Sequence, residues 1–268
     1  MTDLLSEQQW WDYEQLGYLR LGSILYGPEL TALQRRMDEV IVGQVRDRAS
    51  EFQLDTGGRS EGVLYPVPHA RTTVADRTAR GVETDPLVLE VIRRPVFREI
   101  CGRHYGKHAR ISVFRAMLMT TAAGTGTYLP WHQDDGEVWK LDRDPLVTIW
   151  VALDAANRTN GCVEVIPGTH RLGLLGRNGS TLSAEDTRRY CPEEAITYLE
   201  VEAGEALLLH NWLVHRTGVN RTRTPWRALT ACYTDGRTRN TLTGDYFPIV
   251  FGEARDDEAQ WPASRSNA

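Results

Sequence analysis

Apolar and polar positions follow two different periods along the chain. Up to about residue 110 the apolar side chains mostly recur at helical spacing. One predicted helix begins after Ser6, an N-cap with Gln9 three residues further on, and ends at Gly17. A short strand follows over 18–21, a second helix begins at Gly27-Pro28, and helical spacing returns over 86–105. This part of the chain is therefore predicted to be mainly helical.

From residue 111 onward the pattern is typical of β-strands separated by Gly, Pro and Asn clusters. The predicted strands cover 111–119, 146–153, 162–166, 196–201, 206–214 and 227–234. Helices followed by many short strands indicate a β-sandwich or jelly roll with helices packed on one side. We expect one domain over 1–268, with helices of 1–110 packed on a β core of 111–235 and a C-terminal tail at 236–268. The polar stretch 44–76 is predicted to be a loop.

Composition and charge narrow the class of protein. The 268 residues are 41% hydrophobic and 25% charged, and the net charge is −5. These values favour a globular protein over a disordered chain or coiled coil, and over a general nucleic-acid binder. No apolar run approaches the length of a membrane span, and the acidic N-terminus is unlike a signal peptide, so we expect a cytoplasmic protein. The four widely spaced cysteines are predicted to be reduced core thiols.

The segment Trp131-His132-Gln133-Asp134 carries the strongest chemical signal. On a strand, His132 and Asp134 point to the same face and could bind one metal ion, while Gln133 points away. We expect His215, at the end of predicted strand 206–214, to supply a third ligand. Two histidines and one carboxylate form the facial triad of non-haem Fe(II) oxygenases. Arg227 begins the next predicted strand and could bind a carboxylate with two hydrogen bonds.

Other histidines have competing interpretations. His210 is the rival of His215, but five residues along one strand place the two on opposite faces. His170 lies in a Pro-Gly turn and is predicted to brace a loop. His104 and His108 are four residues apart on a predicted helix among basic residues, which favours a solvated face.

Several segments together resemble the phytanoyl-CoA dioxygenase (PhyH-like) family of Fe(II)/2-oxoglutarate oxygenases. They are Leu5-Ser6-Glu7-Gln8 with Gly17-Tyr18-Leu19, Trp131-His132-Gln133-Asp134, Trp150, Asn160-Gly161 with Pro167-Gly168-Thr169-His170, and Gly204-Glu205 followed by His215, Asn220 and Arg227. The resemblance covers roughly 5–235. It implies a double-stranded β-helix, a cupin-like jelly roll, which agrees with the strand pattern.

The resemblance also implies cofactors and roles. Fe(II) would be bound by His132, Asp134 and His215. The co-substrate 2-oxoglutarate would contact Arg227 through its C5 carboxylate, with Thr217, Arg115 and Trp150 nearby. With O₂, such enzymes convert 2-oxoglutarate to succinate and CO₂ while oxidising a C–H bond of a substrate.

The expected function is therefore hydroxylation or oxidative cyclisation of a small or mid-sized metabolite by a monomer or homodimer. Arginine-rich composition and candidate sugar-stacking residues such as Trp139 suggest tailoring of a bacterial secondary metabolite, with a glycoside or sugar-containing antibiotic as the candidate substrate. Segments 44–76 and 171–195 would cover that substrate. Two alternatives stay open at this point: a zinc-dependent hydrolase with the same ligands, and a non-catalytic jelly-roll module that binds glycans.

Overall fold

The computed structural model describes residues 4–41, 51–54, 77–80, 82–121, 129–176 and 181–255. The helices in these ranges are α1 Glu7–Leu16, α2 Gly27–Ile41, α3 Pro86–Ile92, α4 Pro95–Tyr105 and α5 Ala184–Tyr190. None of them has the length and apolarity needed to cross a bilayer.

Local sequence signals account for where these helices begin and end. Ser6 and Gln9 form a reciprocal capping box at the start of α1, and Gly17 ends the helix in a left-handed conformation with φ of 80°. The helical spacing over 86–105 yields two helices because Pro95, which has no backbone N–H to continue the first, begins the second. The predicted helices are confirmed, apart from this break.

Twelve strands form two antiparallel sheets in the described ranges. They are β1 Tyr18–Ser23, β2 Glu51–Leu54, β3 Arg77–Arg80, β4 Ile111–Thr121, β5 Leu129–His132, β6 Val147–Ala152, β7 Val163–Val165, β8 Thr197–Leu199, β9 Glu205–His210, β10 His215–Thr217, β11 Trp226–Asp235 and β12 Ile249–Phe251. The major sheet has the order β1-β9-β6-β11-β4-β3-β2, with β12 also paired to β4; the minor sheet has the order β5-β10-β7-β8. The predicted mainly β, jelly-roll fold is confirmed.

Both faces of the major sheet are buried, and the side chains of β11 alternate between them. Trp226 and Ala228 pack with minor-sheet residues in the space between the sheets. Leu229, Ala231 and Tyr233 pack on the opposite face, against the helices. Side chains of a strand alternate between faces, so this parity decides which residues can reach an interior site.

The predicted strand 206–214 is wrong as a single element. Strand β9 ends at His210, the Leu213 N–H bonds to the His210 carbonyl at 2.9 Å, and β10 begins at His215 in the other sheet. Buried Asn211 stabilises this crossing, since its side chain accepts from the Thr148 hydroxyl at 3.1 Å and donates to the Cys232 sulfur at 3.3 Å. His210 and His215 therefore differ by sheet, and not merely by face.

Two other segments depart from expectation. The predicted loop 44–76 contains strand β2, which pairs with β3; the rest of that loop lies outside the described residues. In the predicted tail, β12 adds to the major sheet beside β4. All four cysteines are buried and unpaired, as predicted.

Candidate metal centre

The predicted triad comes together at the junction of two paired strands. His132 is the last residue of β5 and His215 the first of β10, and the two are direct cross-strand partners. Their ring centroids are 4.1 Å apart, and His132 Nε2 lies 3.9 Å from Asp134 Oδ1. The backbone N–H of Asp134 donates to the Asn211 carbonyl at 2.7 Å, which fixes the chain two residues beyond His132. One candidate ligand atom from each of the three side chains lies within 4.8 Å of the others.

Both imidazoles are oriented by backbone carbonyls. His132 Nδ1 lies 2.8 Å from the Pro130 carbonyl, and His215 Nδ1 lies 2.8 Å from the Leu213 carbonyl. A carbonyl only accepts, so each Nδ1 carries a proton, and in the neutral ring Nε2 then keeps its lone pair. Metal-binding histidines are commonly held in this way, because the hydrogen bond at one nitrogen sets the tautomer and the direction of the other. The site is thus prepared to coordinate through two Nε2 atoms and one carboxylate oxygen.

Gln133 points away from the triad, as the strand alternation predicted. Its amide donates to the Trp212 carbonyl at 2.6 Å and the Gly173 carbonyl at 2.9 Å, and its oxygen accepts from the Leu175 N–H at 2.7 Å. The residue between two candidate ligands therefore ties β5 both to the turn before His215 and to the segment around 173–175.

The electrostatics of the triad suit a cation. Burial lowers the pKa of His132, with contributions from His215 and Arg115, so the imidazole stays neutral. Burial raises the pKa of Asp134, while His215 and Arg115 oppose that shift. Two imidazoles and one carboxylate in a confined space are the donor set of a facial triad, which leaves coordination positions open for other ligands.

Arg115 lies on the inner face of β4. Its strand neighbour Ala116 packs on the helix side, and its cross-strand partner is Cys232. The guanidinium carbon lies 4.3 Å from the centre of the Trp139 ring and 5.4 Å from that of Phe114. Its Nε is buried and has no hydrogen-bond partner among the described residues. A buried, unpartnered guanidinium nitrogen beside the triad is suited to receive an anionic group.

Arg227 is not brought to the triad. It lies on the helix-facing side of β11, where Nε and Nη2 bind both carboxylate oxygens of Asp154 at 2.7 and 2.9 Å. Nη1 binds Asp38 on α2 at 2.9 Å and the Gln34 carbonyl at 3.2 Å. The predicted carboxylate clamp is therefore engaged by the protein's own acids, because inward-facing positions of this strand are taken by Trp226 and its alternate neighbours.

Thr217 and Trp150 do reach the interior side of the site. Thr217 lies two residues beyond His215 on β10, and its hydroxyl accepts from the Leu129 N–H at 3.3 Å. Trp150 on β6 is buried between the sheets and meets Trp226 edge to face, with ring centroids 5.7 Å apart. Contacts of these two residues with a co-substrate stay predictions.

The remaining histidines separate into different environments. His108 is exposed, as predicted, but the prediction for His104 is wrong, since its Nε2 is fully buried. His170 braces a loop as predicted, with its Nε2 3.2 Å from the Glu14 carbonyl. His210 faces His170 and His104, with ring centroids 5.0 and 6.3 Å away. This group of histidines was not predicted, because its members come from distant parts of the sequence and each was considered separately.

The donor set of the triad and the family described next together define a non-haem iron, 2-oxoglutarate-dependent dioxygenase. The family model described as phytanoyl-CoA dioxygenase (PhyH) matches residues 13–228. The chain belongs to this family.

Curated relatives and solved structures agree with that assignment. A phytanoyl-CoA dioxygenase of Arabidopsis thaliana is 29% identical over 248 residues, covering 82% of this chain and 85% of the relative. A probable phytanoyl-CoA dioxygenase of Caenorhabditis elegans is 23% identical, covering 92% and 84%.

Among solved structures, the non-haem α-ketoglutarate-dependent carbocyclase SnoK from nogalamycin biosynthesis is 20% identical, with a TM-score of 0.67 and coverage of 88% and 86%. EctD from S. alaskensis, with 2-oxoglutarate and 5-hydroxyectoine, is 17% identical, with a TM-score of 0.70 and coverage of 95% and 86%. At these identities the structures support the fold.

Proposed function

We propose that His132, Asp134 and His215 bind Fe(II), and that the enzyme uses 2-oxoglutarate and O₂ to oxidise an unactivated C–H bond of a small or mid-sized metabolite. The observation that carries this proposal is the convergence of the three ligand atoms within 4.8 Å, with both Nδ1 atoms held by carbonyls. The bound iron would supply the O₂ chemistry, and the protein would orient the reactants and select the C–H bond.

We assign a carboxylate of 2-oxoglutarate to Arg115 in place of Arg227. Arg115 lies on the inner face of the major sheet, and its charge acts on the pKa values of His132 and Asp134. Within the described ranges its Nε has no hydrogen-bond partner. Arg227 lacks this freedom, since three of its nitrogens already bind Asp154 and Asp38. Trp139 would hold the Arg115 guanidinium in place by stacking, at 4.3 Å.

We propose hydroxylation or oxidative cyclisation in the tailoring of a bacterial secondary metabolite, carried out in the cytoplasm, with a glycoside or sugar-containing antibiotic as the candidate substrate. The carbocyclase SnoK, of similar fold, comes from nogalamycin biosynthesis. The Trp139 indole, a candidate for sugar stacking in the sequence, packs instead on the Phe114 ring, with centroids 5.1 Å apart, and on the Arg115 guanidinium at 4.3 Å. The glycoside part of the proposal therefore follows from the sequence alone.

The test is the fate of 2-oxoglutarate. The purified protein, supplied with Fe(II) and 2-oxoglutarate in air, should release succinate; without iron, or in His132→Ala, the release should fall to background. A candidate metabolite should raise the rate and gain oxygen or lose two hydrogens by mass spectrometry. Hydrolysis supported by zinc without 2-oxoglutarate would establish the hydrolase instead. Glycan binding that is indifferent to chelators, with no turnover, would establish a binding module.

A further inference from the structure

A second group of aromatic and histidine side chains lies on the other side of the metal-bearing turn. It comprises Tyr13 of α1, His104 of α4, His170, His210 of β9 and Trp212, which we call the histidine cluster. The ring of His210 is central: its centroid lies 5.0 Å from that of His170, 5.8 Å from Trp212, 6.3 Å from His104 and 6.5 Å from Tyr13. The cluster joins α1 and α4 to the end of β9.

Four polar atoms of this cluster are buried and have no hydrogen-bond partner in the part of the chain that the structure describes: Tyr13 Oη, His104 Nε2, His170 Nδ1 and Trp212 Nε1. Buried polar groups in native proteins almost always have a partner, either protein or ordered water. Four such atoms in one group of neighbouring rings therefore indicate that polar partners such as ordered water adjoin these side chains.

The hydrogen-bonding character of these atoms identifies what fits. His170 Nε2 lies 3.2 Å from the Glu14 carbonyl and so carries the proton, which leaves Nδ1 as an acceptor. Trp212 Nε1 can only donate, whereas the Tyr13 hydroxyl can do both. The fixed donor of Trp212 and the adaptable hydroxyl of Tyr13 match water, which typically makes about three such bonds when buried. His170 Nδ1 lies against Gly17, where an added Cβ would be 2.5 Å from it.

A metal ion fits the histidine cluster less well than water does. His210 Nδ1 accepts the Trp212 backbone N–H at 3.1 Å, so in the neutral ring the proton lies on Nε2 and blocks coordination there. Within the described ranges, the group of three metal-binding side chains whose ligand atoms lie within 4.8 Å is the His132, Asp134 and His215 triad. Burial lowers the pKa of His104 to about 4 and that of His210 to about 3, so neither ring offers a positive charge to an anion near neutral pH.

We propose that the histidine cluster binds ordered buried water, and that this water couples α1 and α4 to the turn that positions the metal ligands. The turn begins at His210. Its Asn211 carbonyl accepts the Asp134 N–H, and its Leu213 carbonyl fixes the His215 ring. The cluster thus acts on the ligands through the backbone of 211–213. The coupling to the metal rests on the proposed function; the water site does not.

The first test is a crystal structure of the iron-loaded protein with anomalous data. The expected result is at least one water peak within hydrogen-bonding distance of two or more of the orphaned atoms, the Tyr13 hydroxyl among them. A dry cluster in which these side chains bond directly to one another, or an anomalous peak from a metal, would overturn the proposal.

The second test uses Tyr13→Phe, which keeps the ring and removes only the hydroxyl. If that hydroxyl binds water, its loss leaves the water short of a partner, so Tm should fall by several degrees. If the hydroxyl has no partner, its removal should leave Tm unchanged or raise it, which would contradict the water site. Tyr26→Phe is the matched control, because the Tyr26 side chain is 64% exposed and its hydroxyl bonds to the nearby Ser23 carbonyl.

The same variants test the coupling by anaerobic Fe(II) titration. We expect Tyr13→Phe to weaken Fe(II) binding roughly tenfold, the lower end of the range for groups that support metal ligands, with Tyr26→Phe unchanged. Equal Fe(II) affinity in the variant and the wild type would refute the coupling. If no protein binds Fe(II), the wild type included, the proposed function is refuted and the coupling with it. The water site is tested separately, by the crystal structure.

Discussion

The two arginines that compete for the co-substrate carboxylate should respond oppositely to the same substitution. In Arg227→Met, the bidentate pair with Asp154 is lost, and both side chains are about one-quarter exposed at 22% and 25%. Such a part-buried pair lies between a surface ion pair and a fully buried one, so we expect a loss of about 1–3 kcal/mol. The Asp38 contact adds little, since that carboxylate is 63% exposed. Tm should fall by about 3–10 °C.

Arg115→Met should leave stability much less affected, because no hydrogen bond of Arg115 Nε is lost. It should instead raise KM for 2-oxoglutarate. Removing one partner of a desolvated charge pair costs about 2–4 kcal/mol, or roughly 30-fold to 1000-fold in affinity. The assay is succinate release against 2-oxoglutarate concentration, paired with thermal unfolding of each variant. A large rise in KM for Arg227→Met with little change for Arg115→Met would refute the assignment.

Three further predictions concern stability. Burial holds the pKa of His104 and His210 at about 4 and 3, below the value of about 6.5 in an unfolded chain. The unfolded state therefore binds more protons in acid than the folded state does. The free energy of unfolding, measured by urea denaturation, should be greatest above pH 6.5 and fall below it by up to about 1.4 kcal/mol per pH unit for each ring. An unfolding free energy that stays constant from pH 7 to 5 would contradict this burial. Gly204→Ala should lower Tm markedly, because φ is +91° and the new Cβ would lie 2.3 Å from the Leu25 carbonyl oxygen; a variant as stable as wild type would refute the close approach. Gln133→Ala should cost about 2–3 kcal/mol through its three hydrogen bonds and speed proteolysis near 173–175; unchanged cleavage there would show that Gln133 does not anchor the segment.

The sequence was sufficient for those parts of the structure that depend on local pattern. Strand alternation predicted His132 and Asp134 on one face with Gln133 turned away. Although β5 ends at His132, the structure brings His132 and Asp134 within 3.9 Å while the Gln133 side chain bonds elsewhere. The capping box at Ser6 and the glycine at position 17 correctly bounded α1. These signals are local because caps, turns and two-residue alternation depend on neighbouring residues alone.

The inner and outer faces of β11 could not be assigned in this way. Trp226 and Ala228 on one face, and Leu229 and Ala231 on the other, are all apolar, since the sheet is buried on both sides. The alternation therefore does not show which set of residues faces the interior. Assigning the strand one residue out of phase moves Arg227 from the interior face to the face that packs on the helices. Its actual side was decided by Asp154 and Asp38, acids that are remote in sequence.

The crossing at Asn211 was missed for a related reason. The residues from 206 to 214 form an almost continuous apolar run, which predicts one buried strand. The chain nevertheless leaves one sheet and enters the other, because buried Asn211 finds partners in Thr148 and Cys232 on neighbouring strands. Those partners are tertiary contacts, which sequence periodicity does not reveal.

The proposed iron site is tested most sharply by an anaerobic titration of the protein with Fe(II) and 2-oxoglutarate, followed by visible absorption. We predict a charge-transfer band that requires both additions, is lost in His132→Ala and His215→Ala, and survives in Arg227→Met. If the wild-type protein gives no such band at saturating concentrations of both, then His132, Asp134 and His215 do not form an iron site that binds the keto acid.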